Sequence, residues 1–140
     1  MPTIKQLLVV IKFVYFCRLV YDSFTVPFFN MSITHLILVA FKPEAEAEAV
    51  RKVCSGVLAL KDNCLTADTK TPYIKSITGG INSSPEGFTN GYTYAFVVEF
   101  NSTEDRDYYV KQDTAHRSLV DGALPYIQQL CIVDYTPGVF

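Results

Sequence analysis

The alternation of apolar and polar positions is sharpest between Tyr92 and Phe100. Tyr92, Tyr94, Phe96, Val98 and Phe100 fall on one face of an extended segment, and Thr93, Ala95, Val97 and Glu99 on the other. Period two, rich in aromatic and β-branched residues, predicts a strand. Ile33 to Phe41 is apolar on both faces, with His35 beside Ile33, Ile37, Val39 and Phe41, and with Leu36, Leu38 and Ala40 opposite. A strand of that kind must be covered twice. Pro43 is expected to open a helix, with Glu44, Glu46 and Glu48 at the positive end of its dipole. Val50, Val53, Cys54, Val57 and Leu58 recur there at helical spacing, and Lys61-Asp62-Asn63 ends the pattern. A second strand is expected over Tyr73 to Thr78, followed by a turn-rich stretch from Gly79-Gly80 through Asn82 to Gly87.

Beyond the Tyr92 strand, Ser102 precedes Asp105 by three residues, a variant of the capping box that opens an acidic helix carrying Tyr108, Tyr109 and Val110. The helix breaks at Gln112-Asp113-Thr114. Another starts near Thr114 and turns Leu119, Val120, Ala123, Leu124 and Ile127 inward, with Pro125 kinking or breaking it. A last strand runs from Leu130 to Tyr135. The order is β-α-β-β-α-β, the ferredoxin-like split βαβ of the α+β class. It gives a four-stranded antiparallel sheet with helices on one face. The other face has no further strands in this chain to cover it, so a second copy is the economical cover and a homodimer closing an α+β barrel is expected. A monomer would expose an apolar patch larger than soluble monomers usually tolerate.

The chain has 140 residues, which suits one domain. It is 49% apolar and 14% aromatic, which is globular rather than disordered. Residues 1–30 stand apart. They hold Lys5, Lys12 and Arg18 against Asp22, so the rest of the chain carries −4 of a total of −2. An acidic domain without a basic stripe is not built for nucleic acid. The apolar run Leu7–Cys17 is interrupted by Lys12 and is far short of the roughly 20 residues a membrane span needs. No small-x-small cleavage site precedes Met31. Cys17, Cys54, Cys64 and Cys131 have neither metal-ligand spacing nor a disulfide framework, and suit reduced thiols in a cytoplasmic protein. The alternative location is secreted or membrane-associated, through residues 1–30. No cofactor or metal is expected.

Three residues stand out chemically. His116 lies near a helix start, where the dipole disfavours the imidazolium; it is either a general base or a structural histidine of the Asp113-Thr114 turn. His35 sits among apolar neighbours and reads as a packed strand residue. Asp134, between Val133 and Tyr135, needs a partner if buried, and a histidine would serve. No GxxxxGK[ST], HExxH or CxxC occurs.

Several motifs occur in order: Ile33-Thr34-His35-Leu36, Gly91-Tyr92-Thr93, Phe100-x-Ser102 with its acidic helix, the turn Asp113-Thr114-Ala115-His116, and Val133-Asp134-Tyr135-Thr136-Pro137-Gly138. In this order they resemble the stress-responsive A/B barrel family over roughly 110 residues from Met31 to Phe140. Thr114 stands where the family usually has proline. The resemblance implies a dimeric α+β barrel. It also favours Met31 as the true start, with residues 1–30 a gene-model extension, over a weak signal or surface anchor. Residues 31–140 are then the domain.

One branch of that family, the polyketide cyclases, uses a histidine at the His116 position as base with a tyrosine as proton donor. It keeps histidine at the His35 position and aspartate at the Asp134 position. The tyrosine position holds Val110 here, and a further histidine position holds Tyr94; Tyr108 and Tyr109 are near in sequence, but a helix turns each residue by about 100°, so neither inherits that direction automatically. Two functions are therefore expected as alternatives. One is a small dimeric barrel binding an apolar or aromatic ligand against Tyr92, Tyr94, Phe96 and Tyr109. The other is a cyclase or lyase acting on a polyketide-like substrate, with His116, Asp134 and His35 as its catalytic group. A cavity at His116 and Asp134 lined by Tyr94 and Phe96 would favour the second, and a filled barrel the first.

Overall fold

The computed structural model describes residues 31–140. The readings of residues 1–30, including Cys17, lie outside the described residues. The elements are β1 (Ile33–Phe41), α1 (Ala47–Asn63), β2 (Ile74–Ile81), β3 (Tyr94–Phe100), α2 (Thr103–Lys111), α3 (Thr114–Ala123), a 3₁₀ turn (Leu124–Tyr126) and β4 (Ile127–Tyr135). They form a four-stranded sheet in the order β2-β3-β1-β4 with every neighbouring pair antiparallel. The ferredoxin-like α+β reading of the sequence is thereby met.

Register decides which side chains share a face. Ile33, His35, Ile37 and Val39 lie opposite Phe100, Val98, Phe96 and Tyr94 on β3, and His35, Ile37 and Val39 lie opposite Asp134, Ile132 and Leu130 on β4. This face packs under the helices. Its centre is dry: Phe96, Val98 and Phe100 are at most 2% exposed. The aromatic stripe of β3 is therefore core of the single chain. The core continues through Leu60 of α1, Cys64 just past its end and Tyr109 of α2. Gly79 of β2 lies opposite Phe96, and a Cβ there would meet the Phe96 ring at 2.2 Å, so the ring rests on the bare glycine backbone.

Several boundaries differ from the sequence expectation. Pro43 opens a turn, not the helix: Lys42 carbonyl accepts the Ala45 N–H at 3.0 Å, which puts Pro43 at the second turn position it favours. The helix begins at Ala47, so of the three acids only Glu48 lies in its first turn. Leu60 rather than Leu58 completes the inward stripe with Val53; Leu58 is exposed. β2 runs on through Gly79-Gly80 to Ile81, and β4 starts at Ile127, directly after the turn in which Pro125 has ended the helix. β3 begins at Tyr94, leaving Tyr92 in the preceding turn, its N–H bonded to Thr89 carbonyl.

Candidate functional site

The site lies between the helix layer and the β1–β4 half of the sheet. Ser102 caps α2 by accepting the Asp105 N–H at 3.0 Å. α2 ends at Lys111 with Gln112 as its C-cap, and the next residue, Asp113, caps α3, its Oδ1 accepting the His116 N–H at 2.9 Å. Its Oδ2 accepts the Tyr73 hydroxyl at 2.8 Å inside the core. Two helices meeting at one buried aspartate thus fix Tyr109 and His116 relative to each other. Their rings overlap, with centroids 3.9 Å apart and a 32° tilt. On the other side of Tyr109 stands His35, edge-on at 5.8 Å.

His35 is almost fully buried, and its Nδ1 is hydrogen-bonded to Asp134 Oδ1 at 2.5 Å. The two residues face each other in register across β1 and β4. The other carboxylate oxygen of Asp134 accepts from Arg106 Nη1 on α2. The structure thus joins Asp134 and His35 directly, and brings His116 to the same place through Tyr109.

Burial pushes several groups off their ordinary titration. Burial, and to a lesser degree the electrostatic influence of nearby His35, lowers the His116 pKa, with opposition from a hydrogen bond to the Tyr109 backbone and from Asp113. Tyr109 is pushed well up, first by burial and then by Cys64 and Asp113, so its hydroxyl keeps its proton. Cys64 is pushed up to about 12 by burial and the Asp113 carboxylate. Its thiol is inert rather than nucleophilic.

A cavity of about 90 Å³ opens beside these groups. His35, Tyr109 and His116 line it together with Phe41 and Phe96, and its other walls are aliphatic side chains from β1, β4, α1, α3 and the 3₁₀ turn. The expected inward residues Leu119, Val120, Ala123, Leu124 and Ile127 all border it, although Val120 and Leu124 are also exposed. Of the four expected ligand-wall residues, Phe96 and Tyr109 line the cavity. Tyr94 does not; it packs edge-on behind Phe41 at 5.1 Å and supports that wall. Tyr92 lies in its turn outside the lining, as Asp134 lies behind His35. Val110, at the position where the cyclases carry their tyrosine, is exposed.

Arg106 and Tyr73 escaped the reading of the sequence. Arg106 had one signal: a cation in the first turn of a helix opposes the dipole and so needs a partner. Tyr73 had none, because Asp113 meets it only through the fold. Among the described residues, no three His, Cys, Asp or Glu side chains cluster to hold a metal ion, and no helix is long and apolar enough to cross a membrane.

Fold and site together define a ferredoxin-like α+β domain with a histidine-ended apolar cavity between its layers. The chain belongs to the Stress responsive A/B Barrel Domain family, whose sequence pattern it matches over residues 33–137. A comparison with curated proteins finds no match. Among solved structures it is similar to an Arabidopsis thaliana protein, at 23% identity and TM-score 0.66 over 77% of this chain and 97% of that one. It is similar to the hydroxynitrile lyase of Passiflora edulis, at 15% identity and TM-score 0.68 over 79% and 98%. It is also similar to a dimeric ferredoxin-like protein of unknown function from Thermobifida fusca, at 17% identity and TM-score 0.61 over 76% and 92%.

Proposed function

We propose that this protein is a homodimer whose protomers each bind a small apolar or aromatic ligand between sheet and helices. The cavity carries the reading: its walls are aliphatic and aromatic, and its polar groups converge at one end in His35, Tyr109 and His116. Few polar groups in an apolar hollow are the usual make-up of a small-ligand site. The volume is below the roughly 150 Å³ of an apolar cavity that takes benzene. An alkyl tail or the edge of a small ring fits without rearrangement, and a whole ring requires the exposed wall at Leu124 and Ile132 to move outward. Homodimerisation is supported by the open sheet face, where Leu36, Leu38, Val97, Val133 and Tyr135 share one side by register.

A second reading is favoured by one observation. His116, kept neutral by burial, stacks on a tyrosine whose hydroxyl keeps its proton, and a base beside an acid is the pair that a lyase or a polyketide-type cyclase needs. In this reading His116 takes the proton and Tyr109 stands where it could return one. The Passiflora edulis relative is named for lyase chemistry and shares this fold.

One screen tests both. The purified protein is mixed with short-chain phenols, aromatic aldehydes and polyketide-like ligands and read by native mass spectrometry, with turnover followed for every ligand retained. Binding should be lost when the cavity is filled by Ala123→Phe. Retention of every ligand by that variant, or no binding at all, sinks the ligand reading. If a substrate is turned over, His116→Asn should slow it by about 10²–10⁴-fold; wild-type turnover in that variant removes His116 as the base.

A further inference from the structure

Arg106 stands in the first turn of α2 among Glu104, Asp105 and Asp107, where the helix dipole gives it no support. Its Nε donates to Asp107 Oδ1 at 2.9 Å, and Asp107 also accepts from Lys111 Nζ at 2.7 Å. Its Nη1 crosses to β4 and donates to Asp134 Oδ2. The two oxygens of Asp134 are therefore both committed, one to a guanidinium and one to His35 Nδ1. The His35 ring is also held in orientation by Tyr109 and by Phe100, edge-on at 6.4 Å.

This arrangement has a chemical direction. A guanidinium only donates and keeps its charge at any working pH. It therefore holds the Asp134 carboxylate in place as an acceptor turned to His35. An ionised carboxylate facing Nδ1 requires the ring proton there, and a neutral imidazole has only one. The other nitrogen, Nε2, is then bare, on a residue that borders the cavity.

We propose that Arg106 is a positioning residue that acts through Asp134 to hold His35 as its Nδ1–H tautomer. Nε2 is left as a hydrogen-bond acceptor for the ligand. This rests on the cavity being the ligand site, and it narrows the ligand to one that brings an O–H or N–H donor to its buried end, a phenol or alcohol rather than a carboxylate or a plain hydrocarbon.

The tautomer can be read without any ligand. In the ¹⁵N-labelled full chain, at about pH 8 where an unperturbed imidazole is neutral, long-range proton–nitrogen spectra show which ring nitrogens carry protons. The His35 signals are those that persist in His116→Asn. Wild type should show His35 protonated at Nδ1 alone. Arg106→Gln should turn this into a mixture of tautomers, and Arg106→Lys, which keeps the charge, should restore it. In Asp134→Asn the new amide turns its oxygen to Arg106 and its N–H to His35, so the proton should move to Nε2. His35 protonated at Nε2 or at both nitrogens in wild type overturns the proposal, as does an undivided Nδ1–H signal in Arg106→Gln. Should Arg106→Gln unfold, Asp134→Asn decides alone, and survival of the Nδ1–H tautomer there overturns it. Failure here leaves ligand binding standing, and a failed ligand screen leaves the tautomer result standing.

Discussion

His116 and Asp113 divide the chemistry and the architecture of one turn. His116 has its pKa lowered below the ordinary value of about 6.5. The unfolded chain therefore takes up its proton first as pH falls. The sign follows: His116 contributes stability that is present above about pH 6.5 and is lost as pH falls through the folded value. Thermal denaturation between about pH 7.5 and pH 5 should show a steeper loss for wild type than for His116→Asn. Parallel curves would mean that His116 is not held neutral by the fold. Asp113 is the costlier residue to remove. Asp113→Ala deletes a helix cap worth about 0.5–2 kcal/mol and leaves the Tyr73 hydroxyl buried without its acceptor, which costs about 1–3 kcal/mol. Asp113→Asn keeps an acceptor and should lose much less. Urea titration of both variants measures the difference, and equal losses would show that the charge, not the cap, matters. The sequence reveals the pair of histidines because there are only two, and it leaves Arg106 unread because its partner Asp134 lies 28 positions away on another element.

Among the elements, β2 carries the sharpest contrast. Gly79 and Gly80 are adjacent, and a Cβ at Gly79 would collide with the Phe96 ring and with the Ala95 carbonyl, whereas at Gly80 it meets nothing within 4 Å. Gly79→Ala should destabilise by about 1–3 kcal/mol, as overpacking does, and should disturb the cavity through Phe96. Gly80→Ala should fall within about 0.5 kcal/mol of wild type. Similar melting temperatures for the two would refute the account of the glycine seat. The order and type of the elements are legible in the sequence because period two and helical spacing are local signals. Their limits are less so. Pro43 suits both a turn and a first helical position, and only the Lys42–Ala45 bond decides. Tyr109 is similar: sequence spacing leaves its direction open, and packing against His116 and His35 fixes it.

On the scale of the whole molecule, the covered and uncovered faces of the sheet are the main issue. The β3 stripe cannot serve association, since its core-facing rings are already buried in one chain. We place association on the opposite face, where Val133 and Tyr135 are 44% and 50% exposed. Light scattering at micromolar concentration should give twice the chain mass. Val133→Asp should return the monomer, because a charge at a paired apolar face is left without solvent. A wild-type monomer would sink the dimer reading, and a Val133→Asp dimer would move the interface elsewhere.

The pairing of β1 with β4 also governs when the molecule becomes itself. His35 and Asp134 meet across 99 positions of sequence, and β4 is the last strand made. Contacts of such long range form slowly, since a large loop must close before they repay its entropy. During synthesis β1, β2 and β3 can already assemble, but β1 then waits as a raw edge, apolar on both sides, until Ile127–Tyr135 leaves the ribosome. Such an edge invites pairing with other chains. A nascent chain halted before Ile127 should therefore aggregate rather than stay soluble, and the last step that silences this edge is the same one that brings Asp134 to His35.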